Sequence, residues 1–245
     1  MNNEQTLAEK LDAFDKEVVA KIVCNPEQLE PILDGIIDIE KYLSAKYKIL
    51  WILKEAYDDF DEEGNPRGGN WDLRELIRSR NSYQDFAGGG RRTFMRMLYA
   101  SWGILNNFTI WDNIPDLDKD SSVLNALKSI AYINVKKLPG LKLSSHSIIA
   151  NAYKSDKELL LKQIELINPN IIIGGATLHH FIDDLQLSEI EKHRQGSVNY
   201  LLKDDKIYIQ AYHPGYWGIS EEEYCNDIIL AANNVPVKPN SLKNK

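Results

Sequence analysis

The sequence has few of the residues that build covalently cross-linked or repetitive architectures. Its 245 residues include 14 glycines, nine prolines and two cysteines, which excludes collagen-like, disordered and disulfide-stapled classes. Cys24 and Cys225 lack C-x-x-C spacing, a pattern typical of buried thiols in a reducing compartment. With 43% hydrophobic and 27% charged residues, the chain is long enough to bury the core of one large α/β domain.

Long apolar runs and cofactor motifs are also missing. Residues 49–53 form one of the longest apolar runs, far below the roughly 18 residues of a membrane span. Residues 1–9 are polar and acidic, unlike a secretory signal. The histidines have no metal-ligand spacing, and no P-loop or dinucleotide fingerprint is present. We therefore predict a cytoplasmic protein that needs no metal, cofactor or membrane.

Positive charge is concentrated in one part of an acidic chain. The formal net charge is −7, yet seven of the eight arginines fall within residues 67–96, together with three acids and no lysine. These arginines are Arg67, Arg74, Arg78, Arg80, Arg91, Arg92 and Arg96. The window is consistent with a solvated helix face or with a stripe that contacts phosphates.

The hydrophobic pattern predicts helices and strands in alternation. Predicted helices cover residues 4–23, 27–44, 71–79, a segment after Gly90, 155–167, 177–185 and 221–233. Predicted strands cover residues 47–53, 130–135, 170–173 and 206–211, and residues 136–140 are expected to form a turn. Strands separated by helices indicate an α/β fold with a mostly parallel sheet and helices on both faces. We expect an N-terminal helical extension over 1–45, an α/β domain over 46–233 and a flexible tail over 234–245.

Polar residues follow the predicted strands at the points where the strands end. Glu55 comes after the first strand, Asn134 closes the second, and His213 follows the fourth. Because active sites of open parallel sheets lie beyond the carboxyl ends of the strands, a carboxylate, an amide and an imidazole are expected to converge on one crevice. Each residue also has a structural interpretation: an ion pair for Glu55, a turn cap for Asn134 and a buried structural imidazole for His213.

Five short motifs between residues 46 and 230 resemble, in order, those of the uracil-DNA glycosylase superfamily. The branch they resemble most is the iron–sulfur, thermophile-type branch, which reads G-E-A-P-G, P-F-x-G-x-x-G-x-x-L, N-x-x-K-x-x-P, P-x-x-I-x-x-x-G and H-P-S. The corresponding segments here are K-E-A-Y-D at 54–58, D-F-A-G-G-G-R-R-T-F at 85–94, N-V-K-K-L-P at 134–139, P-N-I-I-I-G-G at 169–175 and H-P-G at 213–215. The resemblance implies a three-layer α/β/α fold with a short, mostly parallel central sheet.

The resemblance also implies an activity. Such enzymes flip a damaged base out of DNA and hydrolyse its N-glycosidic bond, acting on single or double strands. By position, Glu55 would activate the attacking water, and His213 would donate a hydrogen bond to the leaving base. Four residues would bind the base: Phe86 by stacking, Asn134 by reading the pyrimidine edge, and Ala56 and Tyr57 from the first motif. Contacts to DNA are expected from Arg91, Arg92, Lys136 and Tyr216, with phosphates passing along the 67–96 arginine window.

The chain departs from the resembled pattern in several places. Lys54 replaces the glycine before the carboxylate, Tyr57 and Asp58 replace Pro-Gly, and Gly215 replaces serine. Residues 58–84 form an insertion, and the four cluster-binding cysteines are absent, so no iron–sulfur cluster is expected.

These departures keep two other functions open. One is a catalytically diverged member of the fold that binds nucleic acid or a protein partner, and the other is an enzyme acting on a small nucleoside-like substrate. Lys54 itself is either an amine able to form a Schiff base or a surface or salt-bridged lysine beside Glu55. His179, His180 and His193 are expected to have core or surface roles.

Overall fold

The structure is a computed structural model that describes residues 5–22, 29–58, 61–63, 68–86, 90–140 and 144–236. Cys24, Arg67, residues 87–89 of the second motif and residues 237–245 of the expected tail lie outside the described residues. Cys225 is a buried free thiol, as predicted.

Helices and strands alternate along most of the described chain, which makes the fold mixed α/β. The α-helices are α1 (Leu7–Lys21), α2 (Ile39–Ser44), α3 (Leu73–Arg78), α4 (Arg91–Leu105), α5 (Leu124–Lys128), α6 (His146–Ile167) and α7 (Glu221–Ala232). The strands are β1 (Gly35–Ile36), β2 (Ile49–Tyr57), β3 (Ala131–Gly140), β4 (Ile171–Gly175), β5 (Lys192–Gln195), β6 (Val198–Lys203) and β7 (Lys206–Ala211). Short 3-10 helices cover Tyr83–Phe86, Trp111–Asn113, Ser121–Val123 and Leu178–His180.

One seven-stranded sheet contains all of these strands, in the order β1-β3-β2-β4-β7-β6-β5. The four central strands β3, β2, β4 and β7 are mutually parallel, as the sequence predicts. The outer pairs, β1 with β3, β7 with β6 and β6 with β5, are antiparallel. The parallel centre brings the carboxyl ends of four strands to one edge of the sheet.

Both faces of the central sheet are largely apolar, because residues 49–53 of β2 and 171–173 of β4 are continuous hydrophobic runs. On β2, Trp51 and Leu53 join a core with side chains of α3, α4, α5 and α7, whereas Leu50 and Ile52 join a second core with side chains of α1, α2 and α6. The Trp51 indole Nε1 donates a hydrogen bond to Ser101 Oγ at 3.0 Å. This buried bond fixes α4 against the sheet.

Three local predictions are wrong. In the described part of residues 27–44, β1 and the shorter α2 replace the expected helix. The reason is that residues 35–36 pair with the first two residues of β3. The turn expected over 136–140 continues β3, and its last residue, Gly140, pairs with Tyr57 of β2. The helix expected over 177–185 contains only the 3-10 helix Leu178–His180 and turns.

A buried polar network ties the segment before β1 to the sheet. Asp34 Oδ1 lies 2.6 Å from the Lys137 ammonium, and both side chains are almost fully buried. Gln163 of α6 accepts from Lys137 at 2.7 Å and donates to Asp34 at 2.9 Å. Asp34 Oδ2 also accepts from the Asn134 backbone amide at 2.8 Å. Residues before β1 therefore contact the strand that carries Asn134.

Within the part of the chain described above, no helix combines the length and the hydropathy needed to cross a membrane.

Candidate active site at the carboxyl edge of the sheet

Glu55 lies two residues before the end of β2, and its side chain is 4% exposed. Its Oε2 accepts a hydrogen bond from the Lys136 ammonium at 2.9 Å. Lys136 lies opposite Glu55 in the β2–β3 register and donates a second bond, of 2.7 Å, to the Pro139 carbonyl. The predicted catalytic carboxylate and the predicted DNA-contacting lysine thus form one ion pair.

Gly140 allows this carboxylate to lie directly against the backbone of β3. A Cβ atom at Gly140 would overlap the carboxylate group of Glu55. The β2–β3 register shifts between Glu55 and Tyr57, so that Gly140 comes opposite Tyr57. The irregular pairing and the absence of a side chain at Gly140 together leave room for the Glu55 carboxylate beside β3.

Asn134 is buried on β3, two residues before Lys136 and therefore on the same face of the sheet. Its side-chain Oδ1 accepts a hydrogen bond of 3.3 Å from the Tyr132 hydroxyl. Its neighbour across the β2–β3 pair is Leu53, two residues before Glu55. The amide and the carboxylate therefore occupy adjacent rungs of the same sheet face.

His213 follows β7, and its imidazole is held in a defined tautomer. The Nδ1 atom accepts a hydrogen bond of 3.0 Å from the Gly215 backbone amide, so the neutral ring carries its proton on Nε2. Burial, and secondarily the charge of Lys54, lower the pKa of His213 from 6.5 to about 4. At neutral pH the ring is therefore an uncharged hydrogen-bond donor through Nε2.

The chain after His213 approaches the neighbouring strand closely. A Cβ atom on Gly175, the last residue of β4, would overlap Leu53 and lie 2.9 Å from the Pro214 ring. Glycine at this position lets the 213–215 segment lie against the end of the sheet. Strand β7 thereby brings His213 to the same edge as Glu55 and Asn134.

Arg96 positions the segment after His213 and was not singled out by the sequence analysis. Its guanidinium is buried and donates hydrogen bonds to three backbone carbonyls: Pro214 at 3.2 Å, Tyr216 at 2.6 Å and Ile219 at 2.5 Å. Its place between Met95 and Met97, in the apolar stretch of α4, is the sequence signal that separates it from the surface arginines.

The arginines of the window that the structure describes do not all lie on one surface stripe. Arg74 pairs with Asp15 at 2.7 Å and Asp72 at 2.8 Å, and Arg78 donates to the Ile37 carbonyl at 2.7 Å. Arg96 also makes internal contacts, whereas Arg91 and Arg92 line a surface cleft.

This cleft has a volume of about 640 Å³ and adjoins the His213 segment through Gly215. The Arg91 guanidinium carbon lies 3.8 Å from the centre of the Tyr83 ring, a distance at which the cation and the ring attract each other. Burial raises the pKa of Glu221 in the cleft, and nearby Arg96, Arg92 and Arg91 oppose that shift. The cleft lining consists of Tyr83, Arg91, Arg92, Met95, Tyr99, Trp111, Gly215 and Glu221.

The remaining predicted residues differ in accessibility. Phe86 is 4% exposed and packs against Phe94, with 5.8 Å between the ring centres. Ala56 is also buried, whereas Tyr57 is exposed. Tyr216 is exposed and stacks on Tyr212 at 4.8 Å. Stacking of an extruded base on Phe86 stays a prediction, and it requires access to a ring that packs in the core.

The described residues contain no group of three or more histidine, cysteine, aspartate or glutamate side chains arranged to hold a metal ion. No protein-family model matches the chain, and comparison with curated proteins also gave no match.

The edge of the sheet therefore combines three chemical capacities. The Glu55–Lys136 pair supplies a carboxylate held in a fixed position, Asn134 supplies an amide, and His213 supplies a neutral donor. A cleft with two arginines and three aromatic rings lies beside them.

Proposed function

We propose that the chain is an N-glycosidic bond hydrolase of the uracil-DNA glycosylase type, with the three-layer α/β/α arrangement of that superfamily, acting on uracil or a related base in DNA. The observation that carries the proposal is the neutral His213 at the same sheet edge as Glu55 and Asn134. A leaving base needs a donor for its developing negative charge, and an Nε2–H group of an uncharged imidazole supplies one.

In the proposed reaction the bond between the sugar C1′ and the base nitrogen breaks, and water adds to C1′. The base leaves as an anion whose oxygen accepts a hydrogen bond from His213 Nε2, while the Asn134 amide reads the base edge. The sugar develops positive charge, which the Glu55 carboxylate stabilises as it orients the water and takes its proton. Lys136 holds that carboxylate in place through their 2.9 Å contact.

DNA is the partner that the surface beside this edge favours. Arg91 and Arg92 line the cleft that reaches Gly215, two residues from His213. Guanidinium groups bind phosphates in a fork geometry, and aromatic rings such as Tyr83 and Trp111 stack on bases. Charge on this cleft lets an acidic protein bind a polyanion locally.

Base release from labelled oligonucleotides tests the proposal. The panel contains uracil, hypoxanthine and mismatched bases in single and double strands, and the enzymes are wild type, Asn134→Ala, His213→Ala and the control His193→Ala. We expect release from at least one substrate, a loss of about a hundredfold or more in the two site variants and little change in the control. Folded wild type that releases no base from any substrate would contradict the proposal.

One observation favours a second candidate, a binding protein that does not catalyse. The Glu55 carboxylate is 4% exposed and already occupied by Lys136, as expected of a structural ion pair. In that case a double Arg91→Glu, Arg92→Glu variant abolishes oligonucleotide binding, whereas Glu55→Gln changes neither binding nor base release. A loss of base release in Glu55→Gln contradicts this candidate.

A further inference from the structure

A cluster of basic side chains lies at the same edge of the sheet, outside the groups used above. Lys54 comes from the end of β2, His146 is the first residue of α6, and His179 and His180 belong to the 3-10 helix after β4. The ring centres of His146 and His179 are 5.8 Å apart, and those of His179 and His180 are 4.0 Å apart. Two elements of the fold therefore place three imidazoles together, and the charge of Lys54 from a third element acts on His179 and His180.

The described part of the chain supplies no carboxylate partner to this cluster. Among the described residues, none of the four side chains forms an ion pair or hydrogen bond with a carboxylate. The carboxylates that follow in the chain are engaged elsewhere: Asp184 accepts from Tyr153 at 2.7 Å and Lys157 at 3.0 Å, and Asp183 accepts from Ser188 at 2.7 Å.

The electrostatic effects on the rings are consistent with this geometry. Burial, followed by the charges of His179, His146 and Lys54, lowers the pKa of His180 to about 4. Partial desolvation of the ring, followed by the charges of His146 and Lys54, lowers the pKa of His179. Other titratable or charged groups near the cluster are Tyr153, which stacks on His180 at 5.7 Å, Lys157, Asp183, Asp184 and His213.

Four groups able to carry positive charge lie together without a carboxylate partner, so protonation of the rings is unfavourable unless an anion binds among them. His146 and His179 are exposed, so an anion can reach the rings from solvent. A phosphate group fits the set because its several oxygens accept hydrogen bonds from several donors at once. The first turn of the long helix α6 adds the positive end of its dipole at His146.

We propose that Lys54, His146, His179 and His180 form a phosphate-binding site. Lys54 directly precedes Glu55 in β2. Because successive side chains of a strand point to opposite faces, the site lies on the opposite side of β2 from the Glu55 side chain. One source of the bound phosphate is the DNA strand whose base enters at Glu55 and His213, and this assignment rests on the proposed function. A free phosphate or a small phosphorylated molecule is the other source.

Histidine NMR of the full chain tests the site directly. Inorganic phosphate is compared with sodium chloride and sodium acetate at equal ionic strength, while the imidazole signals are followed through a pH titration. We expect phosphate alone to raise the pKa of His179 and His180, by about one unit at saturation, because a bound anion favours the charged rings. His193, which stacks on Tyr200 away from the cluster, is expected to show no phosphate-dependent change.

Variants identify the groups that bind. Lys54→Gln and His179→Gln are each expected to weaken phosphate binding about tenfold, since each removes one positive contact, and His193→Gln is the matched control. Absence of phosphate-dependent shifts in the wild-type imidazoles overturns the proposal, as does an equal effect of acetate or an equal loss in the control.

A single-stranded oligonucleotide without a damaged base distinguishes the sources. If it shifts the same imidazole signals, the site holds a strand phosphate; if inorganic phosphate acts and the oligonucleotide does not, the site holds a small phosphate ligand. Both results support the site. Because the readout is binding without base release, the phosphate site and the glycosylase activity succeed or fail separately.

Discussion

Among single residues, the proposed reaction depends most on His213, because its uncharged ring donates the hydrogen bond to the leaving base. The ring owes this state to burial and to Lys54, which lower its pKa from 6.5 to about 4. The Gly215 amide then fixes which nitrogen donates. The lowered pKa is not visible in the local sequence, since it depends on burial and on Lys54, whereas the tautomer is set within the His-Pro-Gly segment itself.

The pH dependence of stability follows from this shift. An unfolded chain protonates His213 near pH 6.5, whereas the folded protein does so near pH 4, so the free energy of unfolding falls as the pH is lowered from about 6.5 to about 4. His213→Gln is expected to lose less stability than wild type over this interval. Urea unfolding at pH 7 and pH 5 measures the difference, and an identical loss in both proteins would contradict the lowered pKa.

Among the elements, the strands that carry the site could be predicted from the sequence, whereas the outer antiparallel strands could not. Strands β2, β4 and β7 are continuous apolar runs bounded by polar residues, which sequence patterns identify. Strand β5, with the sequence Lys-His-Arg-Gln, has no apolar alternation and exists because β6 pairs with it. The Pro139–Gly140 pair resembles a turn, but pairing with Tyr57 extends β3 through it.

The loop after β7 depends on helix α4 through Arg96. Arg96→Met removes the donor of three carbonyl hydrogen bonds within the 214–219 segment. We expect a loss of about 3 kcal/mol in the free energy of unfolding, because unsatisfied buried polar groups cost about 1–3 kcal/mol each.

The exposed Arg92 of the same helix is the control for this variant. Arg92→Met is expected to change stability by less than about 0.5 kcal/mol and to weaken oligonucleotide binding. Denaturant unfolding of the two variants gives the comparison, and equal stabilities would show that Arg96 does not hold the loop.

At the scale of the whole molecule, the segment before β1 and the sheet share a buried ion pair. The division into an extension over 1–45 and a domain over 46–233 stays a prediction. Sequence patterns could not reveal the pair, because Asp34 and Lys137 are about a hundred positions apart and each resembles a surface residue.

Lys137→Met tests how strongly this pair joins the two parts. It leaves the Asp34 carboxylate buried without its cation, which is expected to cost about 3–5 kcal/mol of unfolding free energy. Lys162→Met removes a surface ion pair with Glu17 and is expected to cost less than about 1 kcal/mol. Urea denaturation of both variants provides the measurement, and a similar small cost for each would contradict the structural role of the buried pair.

In the proposed reaction, the carboxyl edge of the sheet hydrolyses an N-glycosidic bond with Glu55 beside the reacting sugar. Single-turnover release of uracil from a single-stranded oligonucleotide tests it most directly, with wild type, Glu55→Gln and the exposed control Glu75→Gln. We expect release by wild type and the control, and a rate about a hundredfold or more lower for Glu55→Gln. Equal rates for Glu55→Gln and wild type would contradict it.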